Sequence, residues 1–319
     1  MEDISLMVQI AKLYYEDGRT QQSIAVELGL TRLRVIELLK KTKNEGIVQI
    51  KIVDPSKDFV KLGKDIANKY GLKKVIVIPE SIDRADQLKR NLGRAASAYL
   101  NETLKAGDIL GVGWGFSVME TVNCLDNCEK RPITVIPLIG GGSETLPQYE
   151  VNEFIRKISI AFNGTSYLLY APALVDNKKI KDSITTDSKI KRILDLWSKA
   201  NVMLIGIGAM KTRMPYALSK YLETQPIDFE EQGIVGDILC RFYDICGNSI
   251  NIEMHERFIG IDLNTLKNSD TVIGVAGGLA KFDAILGAIK GKVVNVLITD
   301  EVVARKLVMP NSGELEICV

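Results

Sequence analysis

The chain has a single histidine, His255, five scattered cysteines and almost no net charge. Each shortage excludes something. An odd number of cysteines argues against a disulfide framework. With one histidine, Cys124 and Cys128 lack the partners a zinc site needs, and they read as two half-buried helical thiols. The longest uncharged stretch, Ile158–Val175, is interrupted by Asn163, Gly164, Thr165, Ser166 and Pro172, so it is no membrane span. A formal net charge of +1 points to no acidic partner by itself, and any basic surface must be local. The opening MEDISLMVQI is acidic where a secretory signal is basic. The expectation is a soluble, cytoplasmic protein with no bound metal or cofactor.

What is present is enough for a large core. Hydrophobic residues make up 46% of the 319, a length that suits two or three domains. Residues 4–17 place Leu6, Ile10, Leu13 and Tyr14 on one helical face. After Asp17-Gly18, Thr20 caps a short helix from Gln21 to Leu28, with Ile24, Ala25 and Leu28 inward. Gly29-Leu30 makes a tight turn, and Thr31 caps a third helix to about Asn44 that buries Val35, Leu38 and Leu39. Helix, short glycine turn and longer helix is the helix-turn-helix arrangement. IVQIKIV, after Glu45-Gly46, alternates like a strand and fits a wing. Residues 19–51 hold Arg19, Arg32, Arg34, Lys40, Lys41, Lys43 and Lys51 against Glu27, Glu37 and Glu45, a local balance of +4. Even a handful of well-placed cations matters for DNA, because each neutralised phosphate releases counterions. The candidate DNA contacts are Thr20 and Gln21 at the start of the second helix, Thr31, Arg32 and Arg34 at the start of the third, and Lys40 and Lys41 further along it. A solvated face on a small bundle is the plainer alternative.

Asp54-Pro55-Ser56 marks a boundary, which gives residues 1–54 to this head and 55–319 to a body. In the body, short apolar runs alternate with amphipathic helices: KVIVIP, DILGVGW, ITVIPLIGGG, NVMLIGIG, TVIGVAGG and KVVNVLIT. That alternation implies βαβ units and a doubly wound, mostly parallel sheet covered on both faces. Such sheets take ligands beyond the carboxyl ends of their strands, where this chain has clusters of glycine. Glycine there lets backbone amides approach an anion. In VAGGLAK, Lys281 falls in the first turn of an expected helix Leu279–Lys290, a place that disfavours a cation unless an anion joins it. Asp237, in IVGDILCRFYD, is suited to accept from sugar hydroxyls or to cap a helix.

Taken together these stretches resemble the SorC/DeoR-type bacterial transcription regulators almost end to end. The head KLYYEDGRTQQSIAVELGLTRLRVIELLKKTKNEGIVQIKI is similar to that family's winged helix-turn-helix. GDILGVGWG, VIPLIGGG, YAPALVD, IGIG, VGDILCRFYD and VAGGLAKFDAILGAIKGKVVNVLITDE follow in the order of its sugar-binding blocks. The resemblance implies an effector domain related to phosphosugar isomerases that binds a phosphorylated sugar or polyol without turning it over. It also implies a homo-oligomer, typically of four chains, and operator DNA as partner. Carried onto this sequence, the effector contacts are Gly113, Trp114 and Gly115, the loop Gly141, Gly142, Ser143 and Glu144, then Asp237, Gly278 and Lys281. Lys281 and the backbone at Gly278 would meet phosphate or an oxygen-rich end, and Asp237 and Glu144 would accept from hydroxyls. One departure stands out. The family often has Ser-Arg where this chain has Ile36-Glu37, and Glu37 is placed to pair with Lys41 one turn on. The head is therefore read as functional, with an altered operator sequence.

Two other classes remain open on sequence. A phosphosugar isomerase with an accessory head would need a general base near the substrate carbon. His255, outside every glycine-rich strand end, is expected on the surface or in a loop. A nucleotide sensor lacks a full GxGxxG followed by a well-placed acid.

Overall fold

The computed structural model describes residues 4–48, 55–80, 85–141, 150–210 and 227–309. The chain divides into two compact units, Met1–Pro55 and Ser56–Val319.

The first unit contains α1 (Ile4–Tyr15), α2 (Gln21–Glu27) and α3 (Arg32–Asn44). Thr20 and Thr31 cap the second and third. Their hydroxyls accept from the backbone N–H of Ser23 and Arg34, each at 3.2 Å, satisfying donors the helices leave free. Gly29, at φ 64°, turns the chain between them. Met7, Ile10, Ile24, Ala25, Val35, Leu38 and Leu39 form one buried core. On α1 the buried stripe is rotated from the expected one: Met7, Ile10 and Ala11 are innermost, while Leu6, Leu13 and Tyr14 pack at its rim. Most of the expected wing, and with it Lys51, lies outside the described residues.

In the second unit, α4 (Pro55–Tyr70) leads into β1 (Lys74–Ile78), with Pro55 at the first helical position, where its missing N–H costs nothing. The chain continues through α5 (Ala85–Thr103), β2 (Ile109–Val112), α6 (Phe116–Asn123), β3 (Thr134–Pro137), α7 (Val151–Phe162) and β4 (Thr165–Ser166). Then come α8 (Lys178–Thr186), α9 (Ser188–Leu194), β5 (Val202–Gly206), β6 (Gly208–Ala209), β7 (Gly236–Ile238), β8 (Arg241–Tyr243) and β9 (Ser249–Ile250). The described residues close with α10 (Leu263–Lys267), β10 (Thr271–Val275), α11 (Phe282–Lys290), β11 (Val296–Asp300) and α12 (Glu301–Val308).

Seven strands form one parallel sheet in the order β1-β11-β10-β5-β2-β3-β4. Alternate residues along each strand enter different cores. Met203, Ile205, Val272 and Leu297 face a core that includes Ile66 of α4, Ile285 of α11 and Leu307 of α12. Leu204, Ile273, Val296 and Ile298 face another that includes Leu92 and Ala96 of α5, Val118 of α6 and Phe154 of α7. Both faces of the sheet are therefore covered, which is why its strands read as continuous apolar runs.

A four-stranded antiparallel sheet, β6-β7-β8-β9, was not foreseen in the sequence. Its strands are two or three residues long, too short to show a period. The expected helix Leu279–Lys290 is also two pieces, a 3-10 turn at Leu279–Lys281 and then α11. Among the described residues no helix is long and apolar enough to cross a membrane.

Candidate functional site

The order of the parallel strands sets where a ligand can sit. From β2 the chain steps outward through β3 to β4, and from β5 it steps the other way through β10 to β11. Connections therefore leave the neighbouring strands β2 and β5 in opposite directions, opening a crevice beyond their carboxyl ends. Gly113, Trp114 and Gly115 follow β2, and Gly115 is the N-cap of α6 at φ 122°. Gly208 follows β5 across from them. Gly278 follows β10 at φ 91°, and its N–H donates to the Asp300 carboxylate at the end of β11.

Asp237 reaches this region from β7. It is 4% exposed. Its Oδ2 accepts from the Cys240 N–H at 3.1 Å, while its Oδ1 is buried with no hydrogen-bond partner among the described residues. Burial pushes its carboxyl above the ordinary range, against the pull of the Cys240 N–H and of Lys281. It caps no helix. The ammonium of Lys281 donates to the Ile207 carbonyl at 2.7 Å. Burial lowers its pKa, with the charge of Asp237 opposing that shift and the charge of Lys89 adding to it. A half-buried cation, a buried acid and glycine turns thus share one end of the sheet.

The Asp237 carboxylate stands where a side chain on Gly208 would be, since a Cβ there would lie 1.9 Å from Oδ1. Gly208 keeps an ordinary backbone, so alanine is excluded by contact alone. We predict that Gly208→Ala lowers stability by about 2 kcal/mol and displaces Asp237. Urea denaturation gives the first effect, and an unchanged midpoint would contradict this placement.

Two features of the crevice escaped the sequence. Lys89, on α5, lies 5.1 Å over the Phe116 ring at the start of α6 and pairs with Asp86 at 3.1 Å. In an amphipathic helix its spacing is that of any solvated lysine. The second feature is the turn between β7 and β8. Leu239 and Cys240 both hold positive φ, 53° and 58°, the backbone of a two-residue type I′ hairpin. Asparagine and glycine usually signal that turn, and neither is present. Each side chain here costs about 1 kcal/mol of backbone strain. Leu239 packs against Gly113, where a Cβ would come within 2.7 Å of it.

Of the remaining nominated residues, Gly141 ends the segment after β3, bonded to the 171–173 stretch through its N–H to the Ala171 carbonyl at 2.8 Å. Gly142, Ser143 and Glu144 lie outside the described residues. His255, expected at the surface, is 8% exposed in a 3-10 helix, Glu253–Arg257. It is buried because its ring stacks 5.5 Å from that of Phe242 and meets the Cys240 carbonyl at 3.0 Å.

In the head, Thr20, Gln21 and Arg32 line one hollow of about 590 Å³ together with Arg19. Arg32 and Lys40 are exposed. The expected Glu37–Lys41 pair does not form. Glu37 instead accepts from Arg34 at 2.8 Å, one turn back, and Lys41 sits 3.7 Å from Glu45, one turn on. The acid at position 37 thus holds a cation at the start of α3, not its middle.

A parallel sheet with glycine turns, a buried acid and a half-buried lysine at its switch point is of the class of α/β domains that take small polar ligands. Comparison with known proteins narrows the class. Residues 54–309 match the sugar-binding domain family. The chain is 33% identical over 308 residues to the deoxyribonucleoside regulator of Bacillus subtilis, spanning 96% of this chain and 98% of that one. It is 32% identical over 309 residues to the sorbitol operon regulator of Klebsiella pneumoniae, with 96% and 98% covered. The crystal structure of that full-length regulator, SorC, superposes with a TM-score of 0.76 over 97% of this chain and 100% of that one. The chain belongs to the SorC/DeoR-type transcriptional regulators, with the sugar-binding domain of that family. Relatives of this kind are regulators and not enzymes, so the isomerase alternative falls away.

Proposed function

We propose that this regulator controls a carbohydrate or polyol catabolic operon in response to a phosphorylated sugar or polyol. Residues 1–54 act as a winged helix-turn-helix on double-stranded operator DNA. Residues 55–319 hold the effector and join subunits, as a homotetramer. The observation that carries the effector half is the unpartnered Asp237 Oδ1 beside Lys281 at the switch point. A buried acceptor without a donor suits a ligand hydroxyl, and a half-buried ammonium suits a phosphate or an oxygen-rich end. Lys89, whose charge is felt at Lys281, makes the crevice more favourable still to an anion. The DNA half rests on the hollow shared by Arg19, Thr20, Gln21 and Arg32. Their donors and cations suit phosphate positioning, while the exposed start of α3 suits the major groove.

Control requires that the effector bind DNA-competent and incompetent oligomers with different affinities. The test is a mobility shift with DNA from the protein's own promoter region, across a panel of phosphorylated sugars and polyols. A specific shift altered by one compound is expected. In the same assay Arg32→Ala should weaken DNA binding about tenfold, the order of one lost charged contact, and leave effector affinity as it was. No specific shift at low salt would sink the reading of the head.

A further inference from the structure

The turn at Leu239–Cys240 is the most strained described segment of the crevice, and something must hold it. Two hydrogen bonds do so from opposite sides. From inside, the Asp237 carboxylate takes the Cys240 N–H at 3.1 Å. From outside, the His255 ring meets the Cys240 carbonyl at 3.0 Å. A carbonyl only accepts, so Nε2 carries the proton and donates. Nδ1 is then left to accept, and the Ile252 N–H faces it at 3.4 Å. The same histidine peptide is tied at its own carbonyl by Lys181 of α8, whose ammonium donates at 3.3 Å. Cys240 is thus gripped at both its N–H and its C=O, and its neighbour Leu239 fills the space beside Gly113.

We propose that His255 is a positioning residue of the effector site: by donating to the Cys240 carbonyl it locks the Leu239–Cys240 turn, and through that turn it fixes both Asp237 and the wall of the crevice at Gly113. The proposal rests on the effector reading of the crevice for its functional consequence, though not for the bracing itself. His255 touches no ligand in this account. It acts through Cys240, from outside the segments that the glycine-rich strand ends mark. Backbone strain explains why a brace is needed, since leucine and cysteine do not keep positive φ unaided.

The test has a ligand-free arm and a ligand arm. In the ligand-free full-length protein, the one imidazole gives one set of ring nitrogen resonances, and these should report the Nε2–H tautomer. The Nδ1–H tautomer would overturn the proposal outright, with no variant needed. His255→Leu keeps bulk without a donor, and His255→Gln keeps a side-chain N–H able to reach the same carbonyl. Hydrogen exchange of the Cys240 amide should quicken about tenfold in His255→Leu, one lost hydrogen bond, and return toward wild type in His255→Gln, with the β5 and β10 amides unmoved in both. Equal exchange at Cys240, or a uniform rise across the sheet, would count against a local brace. In the ligand arm, calorimetry with sorbitol 6-phosphate, a phosphorylated hexitol, should show affinity reduced about tenfold in His255→Leu and restored in His255→Gln. Faster exchange with unchanged affinity would overturn the positioning role. If the wild type does not bind this probe, the same comparison is made with the compound of the phosphorylated sugar and polyol panel that it does bind; binding of none would count against the effector reading, while tautomer and exchange still decide the brace.

Discussion

Acidification from about pH 6.5 to about pH 4 is expected to remove roughly 3 kcal/mol of stability through His255 alone. The imidazole titrates at about 4 in the folded protein, against 6.5 for the free side chain, chiefly because it is buried, with the charges of Arg241 on β8 and Lys181 on α8 adding to the shift and the Cys240 carbonyl opposing it. A base with a lowered folded pKa stabilises fully above the unfolded pKa, and that contribution is lost as pH falls toward the folded one. A shift from 6.5 to about 4 corresponds to about 3 kcal/mol at roughly 1.4 kcal/mol per unit. Asp237 has the opposite sign. Its raised carboxyl takes up a proton more readily in the folded state, so acid favours folding through that group. Asp262, held below its usual range by hydrogen bonds from Thr265 and neighbouring backbone that outweigh its burial, adds its loss only at lower pH. The comparison must therefore be between wild type and His255→Gln. Urea midpoints measured across this window should converge or cross as pH falls, since only the wild type carries the imidazole. Parallel curves would show that folding leaves the imidazole's pKa where it is in the unfolded chain.

The second large effect concerns Lys281. Lys281→Ala is expected to weaken the phosphorylated effector by about 100-fold, the loss of one charge-assisted contact worth roughly 2–3 kcal/mol. Operator binding without effector should persist. Among the described residues the acceptor of Lys281 is the Ile207 carbonyl, and even half-buried a lysine is costly to hold. Its removal takes away the cation that pulls against the upward push of burial on the Asp237 carboxyl. Fold stability should stay near that of the wild type, and Lys281→Met, which keeps the aliphatic stem, should match it. Calorimetric titration and the mobility shift together check this. Loss of both functions at once would indicate a damaged fold, and full effector affinity in the alanine variant would remove Lys281 from the site.

Much of the architecture was legible because it rests on period and punctuation. Thr20 and Thr31 announced two helix starts, and apolar runs closed by glycine announced the parallel strands. The crevice was less legible, for three physical reasons. The type I′ turn at Leu239–Cys240 lacks the residues that signal it, because long-range contacts to Asp237, Gly113 and His255 hold the backbone in place of local preference. Lys89 has the spacing of a solvated residue, and only the approach of α5 to the start of α6 brings it near Lys281. His255 has no motif around it. Its burial follows from packing on Phe242 and from a carbonyl fifteen residues away in sequence, which no local pattern encodes. The partner of Glu37 is ambiguous in the sequence for a simpler reason, since residues three and four away along a helix are both within reach.

The spaces left by glycine at the crevice also bear on how this protein could be re-engineered for another ligand. Gly208 is filled by the Asp237 carboxylate, Gly113 by Leu239 and Gly277 by the Asp300 carboxylate, each from a different element. Such positions behave as interlocking joints, in which one piece is altered only if its counterpart is altered too. A library that randomises these glycines singly would mostly yield collapsed scaffolds. One that varies Trp114 and Lys89, which border the crevice without filling another residue's space, leaves the joints closed and changes only what the ligand meets.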